Sequence, residues 1–324
     1  MMQRLAWATL ALLTAATGGV GAQTFPDRPV TIVVPVSAGG PTDAIARTLA
    51  ERMRISLGQS VVVENVTGAA GNIGVGRVAR AAPDGYTIGI GLTSTHVFNG
   101  AIYTLPFDAV RDFEPIALVA TNPQLIVSKN GVPANDLRAL IAWLKDSPDT
   151  ATMATIGPGS PAHIAGVLFQ KVTGTRFRFV PYRGGAPGMQ DLLAGNIDLM
   201  IPQPSIALPQ IRAGKIRAYA VTARTRLPSA PDIPTVDEAG APGLHVAIWH
   251  GLWAPKNTAK DVIAKLNAAV TESLADPDVR RRLADMGQEI PARDQQTPAA
   301  LRDYQKAEID KWWPIIKAAD LHVE

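Results

Sequence analysis

"VPVSAGGPTDAIAR", residues Val34–Arg47, joins an apolar run to an amphipathic one through a short loop of small and polar residues. Upstream, Val30–Val36 is continuously apolar, as in a parallel strand covered on both faces. Downstream, Ile45, Leu49 and Met53 recur at helical spacing. The stretch reads as strand, loop and helix, and the same order recurs along the chain. Ser60–Val66, Tyr86–Leu92, Thr150–Gly157, Phe177–Arg183, Ile197–Pro202 and Ile216–Ala223 carry strand signals. Between them lie helical faces. One is Leu137, Leu140, Ile141 and Leu144 behind an N-cap at Asp136; the next is Ile164, Val167, Leu168 and Val172. A third, Met189, Leu192 and Leu193, ends at Gly195. This alternation predicts an α/β fold with mostly parallel sheets.

The last third differs. Ala230–Gly243 is proline-rich and loop-like. Thr258 and Asp261 form a capping-box pattern ahead of Val262, Leu266, Val270 and Leu274. The final helix carries "KWWPIIKAA" (residues 311–319), with Trp312 and Trp313 as packing anchors and Pro314 as a kink or a restart.

Composition sets the compartment and excludes several classes. The chain has 324 residues, 47% hydrophobic and 18% charged, which fits one large or two medium globular domains. Residues 1–23, "MMQRLAWATLALLTAATGGVGAQ", show Arg4, an apolar run from Leu5 to about Ala16, and small residues up to Ala22. That is the pattern of an export signal cleaved after Ala22, with residues 1–22 removed and a periplasmic destination. No other stretch is suited to crossing a membrane. With no cysteine, the exported chain has neither disulfides nor a thiol for a lipid anchor, so its core must hold it. The net charge of +3 comes from scattered residues, and Arg280–Arg282 is the only basic run, which argues against nucleic acid.

Four junctions share one composition: Val36–Asp43, Leu92–His96, Ile156–His163 and Tyr182–Gln190. Each follows a strand and is rich in glycine, serine or threonine. The first amides of a helix lack internal partners and present the positive end of its dipole. Glycine lets an anion approach that backbone, and hydroxyls add donors, so such loops suit a carboxylate or phosphate. In open α/β sheets they gather at the carboxyl ends of the strands, although the same residues also simply make turns and caps. Asp43 reads as a first-turn carboxylate that complements the dipole, not as a ligand contact.

Signatures of chemistry are missing. "GAAGNIG" (residues 68–74) lacks the spacing of a dinucleotide fingerprint and the acid that should follow. Ser160 and His163 lie close together, but no G-x-S-x-G elbow holds the serine. The five histidines show no metal spacing. Neither a cofactor nor a metal is expected, and an exported enzyme acting on a carboxylate would need a nucleophile–base pair.

Several strings resemble one family. They are "FPDRPVTIVVPVSAGGPTD", "GQSVVVENVTGAAGNIG", "APDGYTI", "DFEPIALVA", "VPYRGGAPGMQDLLAGNIDLM" and "APDIPTVDEAG", and in this order they cover nearly all of residues 23–324. They look like the Bug (TctC-type) extracytoplasmic solute receptors of tripartite tricarboxylate transporters. The resemblance implies a two-lobed periplasmic binding protein of the second type, with two sheets joined by two crossover strands. It further implies a non-enzymatic, monomeric receptor that holds a small organic carboxylate and presents it to membrane permease subunits. A sensory receptor of the same fold remains open.

By position, the first-lobe loop is Ser37, Ala38, Gly39 and Thr42, with Ser94 and Thr95 as its second contact. The second lobe offers Gly159, Ser160 and His163, with Arg183, Gly184, Gly185 and Ala186 beside them. The family commonly carries an acid after the "DLM" strand that can meet a ligand amine; here Pro202, Gln203 and Pro204 follow. Asp198 remains the acidic candidate on that strand. The departure favours a carboxylate with a neutral body, aromatic or dicarboxylic, over an amino acid. Val36 stands where an aromatic is usual, which widens the expected cleft. Crossings at Ala117–Gln124 and Ala220–Ala223 put lobe one at residues 23–121 plus 223–324 and lobe two at 122–222.

Overall fold

The computed structural model describes residues 25–321, so the expected export signal, residues 1–22, lies outside the described residues. The chain first lays down β1 (Val30–Val34), α1 (Pro41–Leu57), β2 (Val61–Asn65), α2 (Asn72–Ala79), β3 (Thr87–Leu92), α3 (Asn99–Ile102) and β4 (Phe113–Pro123). A second unit follows without a break: β5 (Leu125–Lys129), α4 (Leu137–Asp146), β6 (Thr152–Thr155), α5 (Pro161–Thr173), β7 (Arg178–Pro181), α6 (Gly185–Ala194), β8 (Leu199–Met200), α7 (Pro204–Arg212) and β9 (Ile216–Val221). The chain then returns as β10 (Ala247–Pro255), α8 (Lys260–Ala275), α9 (Pro277–Asp285) and α10 (Pro298–Ala318).

These strands form two five-stranded sheets, ordered β2-β1-β3-β10-β4 and β7-β6-β8-β5-β9. The expected α/β fold with two sheets is present, but the sheets are not mostly parallel. β1 pairs in parallel with β2 and β3, and β6 with β7 and β8, whereas β10 and β5 are antiparallel to both of their neighbours. The cause is the crossing itself. β4 leaves the first sheet at the carboxyl end of β3, so β5 enters the second sheet from its carboxyl edge and must run backwards. β9 leaves in the same way, and β10 comes back reversed.

The two crossings are tied together. Gln124 N–H donates to Thr222 Oγ1 at 2.9 Å, and Thr222 N–H donates to the Gln124 carbonyl at 2.9 Å. The Thr222 hydroxyl donates in turn to the Val246 carbonyl at 2.6 Å, and Val246 N–H returns to the Thr222 carbonyl at 3.0 Å. Residues 223–246, expected in lobe one, lie against the second sheet. Leu227 and Ile233 bury with Leu125, Val127 and Val221, because the proline-rich connector carries apolar side chains that need a core. Only at Ala247 does the chain rejoin the first sheet.

Helices cover both faces. Ile45, Leu49 and Met53 of α1 bury with Leu266 and Val270 of α8 against Ile32, Val34, Ile88 and Ile90. On the opposite face a larger cluster spans both units, joining Phe98, Ile102, Trp249, Trp253, Trp312 and Ile316 to Ile164, Leu168 and Phe169. Trp312 is fully buried with its ring edge-on to Phe98, and Trp313 donates its indole N–H to the Val97 carbonyl at 2.8 Å. α10 runs through Pro314 to Ala318 rather than restarting, because Ile315 and Ile316 beyond the proline are buried. The capping box at Thr258 does not form: α8 starts from Ala259, and the Thr258 hydroxyl donates to the Pro255 carbonyl.

Candidate functional site

Parallel strands of both sheets point their carboxyl ends toward the space between the units, and the glycine loops follow those ends. In the first loop Ser37, Ala38 and Gly39 are exposed. The start of α1 has no side-chain cap at Gly40, yet it is already neutralised. Asp43 is buried, and its Oδ2 accepts from Gly39 N–H at 2.9 Å and from Arg47 Nε at 3.0 Å. Asn65 donates to Oδ1 at 2.9 Å. The Arg47 hydrogen bond is the main reason its carboxyl is held down at about 2, with burial opposing and Gly39 and Asn65 assisting. Gly39 therefore keeps its place in the loop, but its amide is engaged within the protein.

Two expected hydroxyls point inward. Thr42 is buried with Oγ1 3.1 Å from His250 Nε2. Thr95, in a π-helical turn over Ser94–Phe98, accepts from Leu92 N–H at 3.1 Å and lies 3.0 Å from His96 Nδ1. Burial lowers the pKa of both histidines, His96 to about 3 and His250 to about 4, so both rings are neutral. Thr42 and Thr95 thus pair with buried imidazoles, and of the expected hydroxyls in this lobe Ser37 and the half-buried Ser94 stay accessible.

A third first-lobe loop was set aside in the sequence. At the end of β2, Gly68, Ala69, Ala70 and Gly71 take φ values of +121°, +45°, +54° and +91°. Left-handed alanines each cost on the order of 1–2 kcal/mol and persist only where the surroundings impose them. The imposition is visible. A Cβ at Gly71 would lie 2.8 Å from Thr95 Cγ2, and one at Gly74 would lie 2.5 Å from the Val66 carbonyl. Buried Asn99 holds the loop by donating to the Ala70 carbonyl at 3.1 Å and to Asn72 Oδ1 at 2.7 Å. The glycines of "GAAGNIG" therefore allow this loop to pack onto its neighbours, and Ala69 and Ala70 stand exposed. Two glycines flanking small residues at a strand end were the available signal.

In the second unit, Ser160 caps α5 by accepting from His163 N–H at 3.3 Å. Gly159 N–H donates to His163 Nδ1 at 3.1 Å, which leaves the ring proton of neutral His163 on Nε2. Burial lowers the pKa of this histidine too. Serine and imidazole are each held by backbone, so they do not form a nucleophile–base pair. A Cβ on Gly159 would lie 2.8 Å from Ile102 Cδ1, so here the two units touch.

The helix starts differ in one respect that matters. α6 begins at Gly185 with no side-chain cap and no acid in its first turn, and exposed Arg183 precedes it. Gly184, Gly185 and Ala186 supply its bare amides. A Cβ on Gly185 would lie 2.8 Å from Ile206 Cδ1, so backbone and neighbouring helix are already close. α7 is also uncapped, and the buried Gln203 Oε1 before it has no partner among the described residues. Asp198 does not belong here. It sits at the amino end of β8, paired with Lys129 Nζ at 2.8 Å and accepting from Thr152 N–H at 2.8 Å and Thr152 Oγ1 at 2.9 Å. Burial alone would raise its pKa, but Lys129 and Thr152 outweigh it and hold the carboxyl below its usual range. Among the described residues no His, Cys, Asp and Glu side chains cluster as metal ligands.

Two α/β units joined by paired crossings, with helix starts rather than reactive side chains gathered between them, define a two-lobed solute-binding protein. The chain belongs to the tripartite tricarboxylate transporter receptor family: residues 45–321 match the family model described as "Tripartite tricarboxylate transporter family receptor". BugT of Bordetella pertussis is 34% identical over 300 residues, covering 92% of this chain and 91% of BugT. The solved structure of the periplasmic binding protein BugD is 40% identical, with a TM-score of 0.76 over 93% of this chain and 100% of that one. MatC from Rhodopseudomonas palustris, solved with bound malate, is 38% identical, with a TM-score of 0.77 over 90% of this chain and 100% of MatC.

Proposed function

We propose that the protein is a periplasmic receptor that captures a small organic carboxylate between its lobes and delivers it to the membrane subunits of a tripartite transporter. The observation that carries this reading is the bare start of α6. Its amides have neither a side-chain cap nor a first-turn acid, and Arg183 adds charge beside them. α1, by contrast, carries its own counter-ion in Asp43. The second lobe therefore supplies the anion contact through Arg183, Gly184, Gly185 and Ala186. Ser37, Ala38 and Ser94, with the strained Ala69–Ala70 backbone, close over it from the first lobe. Gly159, Ser160 and His163 shape the second-lobe wall, and His163 Nε2–H is a donor.

We take lobe one as residues 25–123 with 247–321 and lobe two as 124–246, hinged at Gln124, Thr222 and Val246. Closure follows from binding, because donors of both lobes reach the anion only when the lobes approach. With Gln203 rather than an acid before α7, the ligand body is neutral and the class is a di- or hydroxycarboxylate, consistent with the malate in MatC. The receptor works as a monomer.

The test is native mass spectrometry of ligand released from protein purified from the periplasm, followed by calorimetry against a carboxylate panel headed by malate. One bound carboxylate per chain is expected. A panel of di- and hydroxycarboxylates in which none binds tighter than millimolar would overturn the reading.

A further inference from the structure

Residues Ser94–Ile102 form one block in the first lobe. The π-helical turn over Ser94–Phe98 runs directly into α3. α10 holds this block from behind. Gln305 Nε2 donates to the His96 carbonyl at 3.0 Å, and the Trp313 indole N–H to the Val97 carbonyl at 2.8 Å. Phe98 stands edge-on to Trp312. Asn99 ties the block forward by donating to the Ala70 carbonyl at 3.1 Å. The block thus carries Ser94 at one end and anchors the Ala69–Ala70 loop through its middle, and both belong to the first-lobe side of the cleft.

Its other end meets the second lobe. Ile102 is fully buried and belongs to the cluster that includes Ile164, Leu168 and Phe169 of α5. Its terminal methyl faces Gly159. A Cβ on Gly159 would lie 2.8 Å from Ile102 Cδ1, but 3.7 Å from Cγ2 and 3.9 Å from Cγ1. Gly159 sits at φ +73°, with its N–H engaged by His163 Nδ1. Ser160 follows as the cap of α5, so Gly159, Ser160 and His163 move as one wall. That wall cannot come nearer to the block without displacing the methyl, and a buried side chain in a close-packed interior yields only at a cost.

We propose that Ile102 is a positioning residue that sets the width of the cleft: its Cδ1 is the stop against which the Gly159–His163 wall rests, and it thereby selects the length of the acid held between the lobes. Ile102 itself touches no ligand. It fixes the spacing between Ser94 and the Ala69–Ala70 loop on one side and the α5 wall on the other. A short acid such as malate needs a narrower cleft than a longer one such as adipate. The length selection rests on the receptor reading above; the stop itself does not.

The chain has no cysteine, so spin labels at Arg54→Cys on α1 and Lys145→Cys on α4, both exposed positions, report the separation of the lobes in the full mature chain. Without added acid, Ile102→Val, which deletes Cδ1, should shorten that separation, and Gly159→Ala should lengthen it. The double variant should return to the wild-type separation, because the next atom, Cγ2, is at ordinary contact distance. An alanine at this left-handed position is strained equally in the single and the double variant, so rescue separates the stop from backbone strain. By calorimetry, the ratio of malate to adipate affinity should rise about threefold in Ile102→Val, fall about tenfold in Gly159→Ala and be restored in the double variant. A merely structural role would weaken both acids together and leave the ratio unmoved. The stop is refuted if Gly159→Ala leaves the label separation unchanged, or if Ile102→Val does not rescue it. Should Gly159→Ala fail to fold, Ile102→Val decides alone, and an unshortened separation there refutes the stop. Shifted separations with an unchanged affinity ratio overturn the length selection alone. Shifted separations in a chain that binds no acid of the carboxylate panel count against the receptor reading and leave the stop standing.

Discussion

Replacing Asp43 by asparagine removes one negative charge from the start of α1 while keeping the shape of the side chain. Stability should fall. The native carboxyl is held at about 2 against an ordinary 3.8, a difference worth about 2 kcal/mol. Arg47 is half-exposed, so solvent screens part of that, leaving about 1–2 kcal/mol at neutral pH. The folded pKa is depressed, so the contribution is complete above about pH 4 and disappears as pH falls toward 2. Urea unfolding at pH 7 should show the loss, and the wild type's extra acid sensitivity between pH 4 and 2 should be absent from Asp43→Asn. Affinity should move the other way. A carboxylate ligand near Ser37 and Ala38 would lie roughly 7 Å from the Asp43 charge. At an effective dielectric of about 40 that repulsion is ~1 kcal/mol, so Asp43→Asn should bind a carboxylate about fivefold tighter. The reasoning is refuted if the variant keeps wild-type stability and acid sensitivity, or if it is destabilised and binds the ligand more weakly.

Gly185→Val should lower carboxylate affinity by about 100-fold by calorimetry, since its Cβ would press on Ile206 Cδ1 at 2.8 Å and shift the start of α6 whose amides hold the anion. The displaced neighbour is the flexible end of Ile206, so the melting temperature should drop by only a few degrees. Trp312→Ala empties a fully buried site shared by both lobes and should cost about 3–5 kcal/mol in urea unfolding; a loss under 1 kcal/mol would mean the cluster does not bind the lobes together. Ala70→Gly relieves a left-handed alanine and should raise stability by about 1 kcal/mol unless the added chain entropy cancels it; a clear loss would show that the loop is not strained.

Local chemistry was legible where one segment held all of it. Asp136 caps α4 by accepting from Ala139 N–H, and Gly195 ends α6 at φ +83°, as read from neighbouring residues alone. What failed depended on partners far along the chain. Thr42 looked like a free hydroxyl, but its partner His250 lies 208 residues away. The same distance hid the reversal of β5 and β10, which follows from where the chain crosses and not from any pattern within those strands. Asp198 was placed on a strand read as Ile197–Pro202, whereas β8 spans only Leu199–Met200 and leaves the aspartate at its starting edge. The strained loop at Gly68–Gly71 was passed over because its glycines were matched to dinucleotide spacing instead of to close packing.

β10 occupies the fourth place in the first sheet, between β3 and β4, yet it is the last strand of the chain. Until Ala247–Pro255 is available, β3 and β4 have no common neighbour, and Trp249 and Trp253 are missing from their core. The second unit is continuous in sequence and has no such gap. During synthesis, amino end first, it can collapse while the amino-terminal strands remain an open half-sheet, and the first lobe is completed only after the carboxyl-terminal segment arrives. Order of assembly is thus the reverse of order of emergence for the outermost parts. A truncation before residue 247 would leave a folded second lobe carrying an unfinished first one.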